Sequence, residues 1–160
     1  MSTAYLSLGS NIDASRNISS GIAALRETFA EVALSPVYRT QAVGFEGDDF
    51  INLVARIETR MSPLSLGKFL RELEDRHQRD RSSPRFSDRT LDVDILLYDD
   101  LCLVSPMLEI PREEILTAAY VLKPLADLAP DLTHPVRRKT IAELWEAFPE
   151  KHTRLIETEL

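Results

Sequence analysis

The 160-residue chain has a single cysteine, Cys102. That count excludes an internal disulfide and any paired-cysteine metal site. Cys102 lies in the apolar run LCLV and is expected in the core. No apolar stretch approaches the ~20 residues of a membrane span. The opening segment MSTAYLSLGS lacks the basic and apolar regions of a secretory signal, so a soluble, reducing compartment, the cytoplasm, is expected. Excess positive charge is missing too: the formal net charge of -7 argues against nucleic acid or an anionic membrane as partner. Glycine loops that cradle phosphate are absent. There is no G-x-G-x-x-G, and the nearest approach to a P-loop, SPLSLGKF, has Ser62 where the first glycine belongs and Phe69 after Lys68. No protein-kinase signature and no G-x-S-x-G appears. His77, His134 and His152 have no metal-ligand spacing, which makes zinc an unsuitable cofactor.

What is present is one domain's worth of chain, with 44% apolar residues and no repeat or linker. In TAYLSLGS, Ala4, Leu6 and Leu8 alternate with Tyr5 and Ser7 before Gly9, a strand entering a tight turn. Asn11 or Asp13 can cap the helix that follows. Ile18, Ile22, Leu25 and Phe29 place that helix over 14–29. EVALSPVYRT reads as a strand bent at Pro36, and FINLVARIET as a third strand. Ser62 and Pro63 open a second helix with Leu66, Phe69, Leu70 and Leu73 as its stripe. RTLDVDILLYDD (89–100) supplies a fourth strand, and LCLVSP is expected to hairpin back from it across Asp99-Asp100. Helices are expected over 112–117, 121–128 and 141–148. The order βαββαβ predicts an α+β fold with a ferredoxin-like core, helices packed on an antiparallel sheet, and extra C-terminal helices.

Asp92 and Asp94 interrupt the apolar fourth strand. Two residues apart, they share a face, with Cα atoms ~7 Å apart. Two buried like charges are unfavourable, so the pair faces either solvent or a cation. The spacing suits hard cations whose shells are completed by phosphate oxygens. Just upstream stand Arg71, Arg76, Arg79, Arg81, Arg85 and Arg89. From 76 to 89, five arginines against Asp80 and Asp88 give +3. Arginine favours planar, bidentate phosphate recognition. Part of this charge, such as Arg71 beside Asp75, is ordinary helix-surface pairing.

Together YLSLGSN (5–11), YRT (38–40), FINLV (50–54), RTLDVDILLY (89–98) and VLKPLADLAPDLTHP (121–135) resemble, in order and spacing, the 6-hydroxymethyl-7,8-dihydropterin pyrophosphokinase family. The resemblance implies transfer of diphosphate from ATP to a pterin hydroxymethyl group, with AMP released. It implies two Mg²⁺ ions on Asp92 and Asp94, and catalytic roles for Arg81, Arg89, Asp92 and Asp94. It places Glu74, Arg79, Arg81, Arg89 and Arg112 at the nucleotide. It places Thr40, Val43, Phe50, Asn52, Phe86 and Tyr120 at the pterin, with Asn52 pairing with the ring edge. Departures are Arg112, where many members have His, Ala118, where they have Arg, Gln41 for a common Pro, and Ser87-Asp88 for a Gly-Pro pair. A monomer with small-molecule substrates is expected. A pterin- or nucleotide-binding homologue with altered substrate or weak catalysis is the alternative. An RNA-binding module is disfavoured by the acidic chain and the lack of an RNP-type strand.

Overall fold

The computed structural model describes residues 1–41, 47–77, 90–149 and 154–160. Its centre is an antiparallel sheet. Strand β1 (Ser2–Ser10) runs between β4 (Phe50–Thr59) and β5 (Asp92–Tyr98). On the far side of β4 lie β2 (Val32–Leu34) and β3 (Val37–Thr40), both paired to it. They are the two halves of one stretch, broken at Ser35-Pro36, where proline cannot donate to a ladder. The Ser35 hydroxyl repairs the gap by accepting the Val54 N–H at 2.9 Å. Strand β8 (Ile156–Thr158) closes the edge against β3, an element with no clear signal in the sequence. The order across the sheet is β5-β1-β4-β3-β8 among the described residues.

Both faces of the sheet are covered. Against one face lie α1 (Ala14–Thr28) and α2 (Pro63–Arg76). Their Ile18, Leu25, Leu66 and Leu73 pack on Leu6, Leu8, Ile57, Val93 and Ile95. Helix α2 starts as its sequence dictates, with Ser62 Oγ accepting the Ser65 N–H at 3.2 Å and Pro63 in the first turn. Helix α1 has Asp13 at its N-cap, in a left-handed conformation and without a side-chain cap bond. The other face takes α3 (Glu114–Thr117), α4 (Ala119–Leu128) and α5 (Ile141–Glu146). Here Tyr5, Val54 and Leu96 meet Ile115, Leu122, Leu125 and Ile141. Burial on both faces explains why the central strands are apolar on both sides.

Two expectations are corrected. LCLVSP does not hairpin onto β5. Instead β6 (Leu103–Val104) pairs with β7 (Glu109–Ile110). Asp99 sits at φ 48° and is tied to β1, its N–H donating to Thr3 O and its Oδ1 accepting the Thr3 N–H, both at 2.9 Å. That contact turns the chain away, and other groups take the outer edge of β5. Cys102 is exposed rather than in the core, because Leu101 and Leu103 turn to the core while the alternating Cys102 and Val104 face solvent. All three expected C-terminal helices keep their places with shifted ends.

Candidate active site

Among the described residues, neither core covers one end of the second sheet face. Strand register sets what stands there. Tyr38, Asn52, Gly9 and Asp92 occupy one row across β3, β4, β1 and β5. Val54, Ser7 and Asp94 occupy a neighbouring row. Paired residues in antiparallel strands share a face, so Asn52, Asp92 and Asp94 emerge on the same side. With strands ~4.8 Å apart, Asn52 and Asp92 stand about 10 Å from each other across Gly9. Thr40 pairs with Phe50, two residues from Asn52, and so joins the same face.

Gly9 is dictated by this arrangement. A Cβ there would lie 2.7 Å from Asn52 Oδ1, so the Asn52 carboxamide lies across this position and a side chain here would displace it. The next two residues of the same segment brace the site from behind. Ser10 Oγ donates to Thr90 O at 2.6 Å, at the entry to β5. Asn11 Nδ2 donates to Asp48 O at 3.1 Å, just before β4. One strand end thereby fixes both chain segments that frame the open face. From sequence, Gly9 reads only as a tight turn and Asn11 as a possible helix cap; Asn11 bonds Asp48 instead, Asp13 takes the N-cap, and the glycine inside a strand pattern was the available signal for a close approach.

Asp92 and Asp94 are half-buried, and Leu91, Val93 and Ile95 point into the opposite core. Among the described residues, Arg112 supplies positive charge nearby. Its Nη1 lies 3.7 Å from Asp94 Oδ1, and its Nε donates to Glu114 Oε2 at 2.6 Å. The Arg112 backbone N–H donates to Leu96 O at 3.0 Å, anchoring this residue to the strand that carries the two aspartates. Burial alone would lower the guanidinium pKa; Asp94, Glu114 and Asp92 outweigh it and raise the value. Ala118 is buried at the joint between α3 and α4.

Glu74 is 4% exposed, and its Oε2 accepts the Val93 N–H at 2.9 Å. It therefore holds the outer edge of β5 between the two aspartates. Tyr120 is half-buried in the first turn of α4, which covers the same sheet face. That helix is fastened beside Asn52: the Tyr38 hydroxyl donates to the Asp127 carboxylate, and Lys123 Nζ donates to its other oxygen at 2.8 Å. Burial first, then the Asp127 carboxylate, push the Tyr38 pKa well above its ordinary value. Tyr38 thus stays protonated and serves as a donor. Val43, Arg79, Arg81, Phe86 and Arg89 lie outside the described residues. The described part thus brings Thr40, Phe50, Asn52, Asp92, Asp94 and Arg112 to one end of one face.

No group of three or more potential protein ligands for a metal occurs among the described residues. A pair of carboxylates is nevertheless the usual protein share for Mg²⁺, which retains water and takes substrate phosphate. The half-exposed oxygens of Asp92 and Asp94 fit that chemistry.

The profile of the 7,8-dihydro-6-hydroxymethylpterin-pyrophosphokinase (HPPK) family matches residues 5–130. This chain belongs to that family. All the described site positions named above fall inside the HPPK match. A 2-amino-4-hydroxy-6-hydroxymethyldihydropteridine pyrophosphokinase of Pseudomonas aeruginosa is 38% identical over 149 residues, covering 91% of each chain. The enzyme of the same name from Haemophilus influenzae is 34% identical over 94% of this chain and 95% of its own. The folic acid synthesis protein fol1 of Schizosaccharomyces pombe is 35% identical over 95% of this chain, which spans only 21% of that longer protein. In structure, the chain is similar to a Plasmodium falciparum HPPK-DHPS, with TM-score 0.71 and 14% identity over 94% of this chain and 42% of that one. At that identity the likeness speaks for the HPPK fold alone.

Proposed function

We propose that the chain transfers diphosphate from ATP to the hydroxymethyl group of 6-hydroxymethyl-7,8-dihydropterin, releasing AMP, as a step of folate biosynthesis. Residues 1–160 form one pyrophosphokinase domain, acting as a cytoplasmic monomer. Counting β2 and β3 as one bent strand, the sheet order supports a ferredoxin-like βαββαβ core. The observation that carries the functional reading is the row in which Asn52 and Asp92 flank Gly9 on one open face.

Asn52 pairs with the flat pterin edge, Thr40, Val43 and Phe50 wall the ring, and Tyr120 and Phe86 stack on its faces. Asp92 and Asp94 hold two Mg²⁺ ions, which when bound neutralise phosphate charge. Arg79, Arg81, Arg89 and Arg112 engage the nucleotide or its phosphates from the other side, and Glu74 supports the nucleotide side of the site. The alcohol oxygen attacks the β-phosphorus, forming an O–P bond. The bond from that phosphorus to the α,β-bridging oxygen breaks, and its electron pair leaves with AMP. The alcohol proton passes to solvent. Such transfers rest on alignment and charge neutralisation, so no nucleophilic side chain is required.

The test is an assay of AMP and pterin diphosphate with purified protein, ATP and the pterin, with and without Mg²⁺. Products dependent on both pterin and Mg²⁺ are expected. Pterin binding without AMP would replace this reading with the pterin-binding homologue.

A further inference from the structure

Arg112 stands in an unusual relation to the carboxylate pair. Its backbone is pinned to Leu96 O, two residues along the strand from Asp94. Its Nε is gripped by Glu114 at 2.6 Å, while its Nη1 reaches Asp94 only loosely, at 3.7 Å. The guanidinium is thus hydrogen-bonded to a second acid while it stands at ion-pair distance from Asp94. A fixed positive charge there opposes a second cation on the same carboxylate.

We infer that Arg112 is a resident counter-charge, positioned by Glu114, that weakens divalent-cation binding at Asp92 and Asp94 until nucleotide phosphate arrives. The inference rests on the metal assignment above and adds an order to it. Without nucleotide, a divalent cation and Arg112 compete for Asp94. With nucleotide, the triphosphate supplies negative charge to both, and the competition is relieved. Metal and nucleotide binding are therefore coupled, and Arg112 carries part of the coupling free energy. Arg112 acts here as a positioning and charge-setting residue, and its sign of action differs between the two states.

The repulsion sets the size of the effect. About a third of each of the Arg112 and Asp94 side chains is exposed (34% for both), so screening is close to that of water. A divalent ion ~6 Å from a unit charge then binds on the order of tenfold more weakly.

The test is a Mn²⁺ titration followed by electron paramagnetic resonance, with full-length protein, without nucleotide and then with a non-hydrolysable ATP analogue. Arg112→Gln is expected to bind Mn²⁺ on the order of tenfold more tightly than the parent without nucleotide. The factor by which the analogue tightens Mn²⁺ binding should shrink correspondingly. Arg112→Lys keeps the charge and should stay near the parent. Glu114→Gln should bind Mn²⁺ more weakly, since Arg112 is then released onto Asp94. Adding Asp94→Asn to Arg112→Gln should remove the gain. Circular dichroism of each variant checks folding, and Arg112→Lys keeps the test open if the glutamine variant misfolds. Equal or weaker Mn²⁺ binding by Arg112→Gln, or a lysine variant that behaves like the glutamine one, overturns the inference. AMP formation by the parent is measured separately, so a failed titration with normal AMP release sinks the counter-charge and spares the proposed function.

Discussion

Gly9→Ala tests the site from its floor. The added Cβ would lie 2.7 Å from Asn52 Oδ1, while Asn52 Cγ and Ile51 O, at 3.7 and 3.8 Å, are ordinary contacts. One atom must therefore move, by about 0.7 Å to reach a normal separation of ~3.4 Å. That atom ends a side chain, so the carboxamide can turn while β1 and β4 keep their register. Overpacking a rigid core costs about 1–3 kcal/mol; here the loss of stability should fall at or below the lower end. The function absorbs the displacement instead. A bidentate hydrogen-bond donor and acceptor moved by about 0.7 Å loses alignment with a flat ring edge, and hydrogen bonds weaken steeply with misalignment. Pterin KM should rise at least about tenfold, the equivalent of one lost net hydrogen bond of ~1.4 kcal/mol, with ATP KM little changed. Urea denaturation and steady-state kinetics with each substrate varied provide both numbers. An unchanged pterin KM would refute the role of Asn52 at the ring edge. A stability loss of several kcal/mol would refute the claim that only the amide moves.

Asp94→Ala should abolish transfer while the domain folds; turnover at the parent rate would remove the aspartate from the metal assignment. Arg89→Ala should slow transfer at least about tenfold through lost charge stabilisation, and an unchanged rate would make this arginine structural. Glu74→Leu leaves the buried Val93 N–H without its acceptor, so about 1–3 kcal/mol of stability should be lost, whereas Glu74→Gln keeps a carbonyl acceptor and should lose less; equal urea midpoints for the parent and the leucine variant would contradict the bond. His134 is buried, and its Nδ1 accepts the Val136 and Arg137 N–H groups at 3.2 and 3.1 Å. Burial first, then the Arg137 charge, lower its pKa below 6.5. The unfolded chain then binds the proton more readily, so this contribution to stability is complete above about pH 6.5 and is lost as the pH falls through the lower folded value. His134→Asn retains a comparable acceptor without titrating, and denaturation midpoints between pH 7.5 and 5 should depend less on pH in that variant. Identical slopes would contradict the assignment.

Local chemistry in the sequence determined much of this protein. The 3.6-residue spacing of Ile18, Ile22 and Leu25 marks α1, Ser62 and Pro63 start α2, and Pro36 breaks the second strand. The alternation of Leu91, Val93 and Ile95 with Asp92 and Asp94 already separates a core face from an acidic one. These signals lie within a few residues of one another, where backbone geometry alone relates them. What only tertiary structure decided is which distant groups meet. Gly9 faces Asn52 because β1 and β4 pair in one register, and a slip of one residue would turn every side chain to the other face. Two cores, one on each side of the sheet, hold that register together. Glu74 meets Val93 because α2 packs along β5, and Arg112 meets Asp94 because the chain after β7 returns to the edge that LCLVSP leaves open. Cys102 shows the same limit: its neighbours Leu101 and Leu103 pack on the core, while Cys102 falls on the side of the segment that meets solvent.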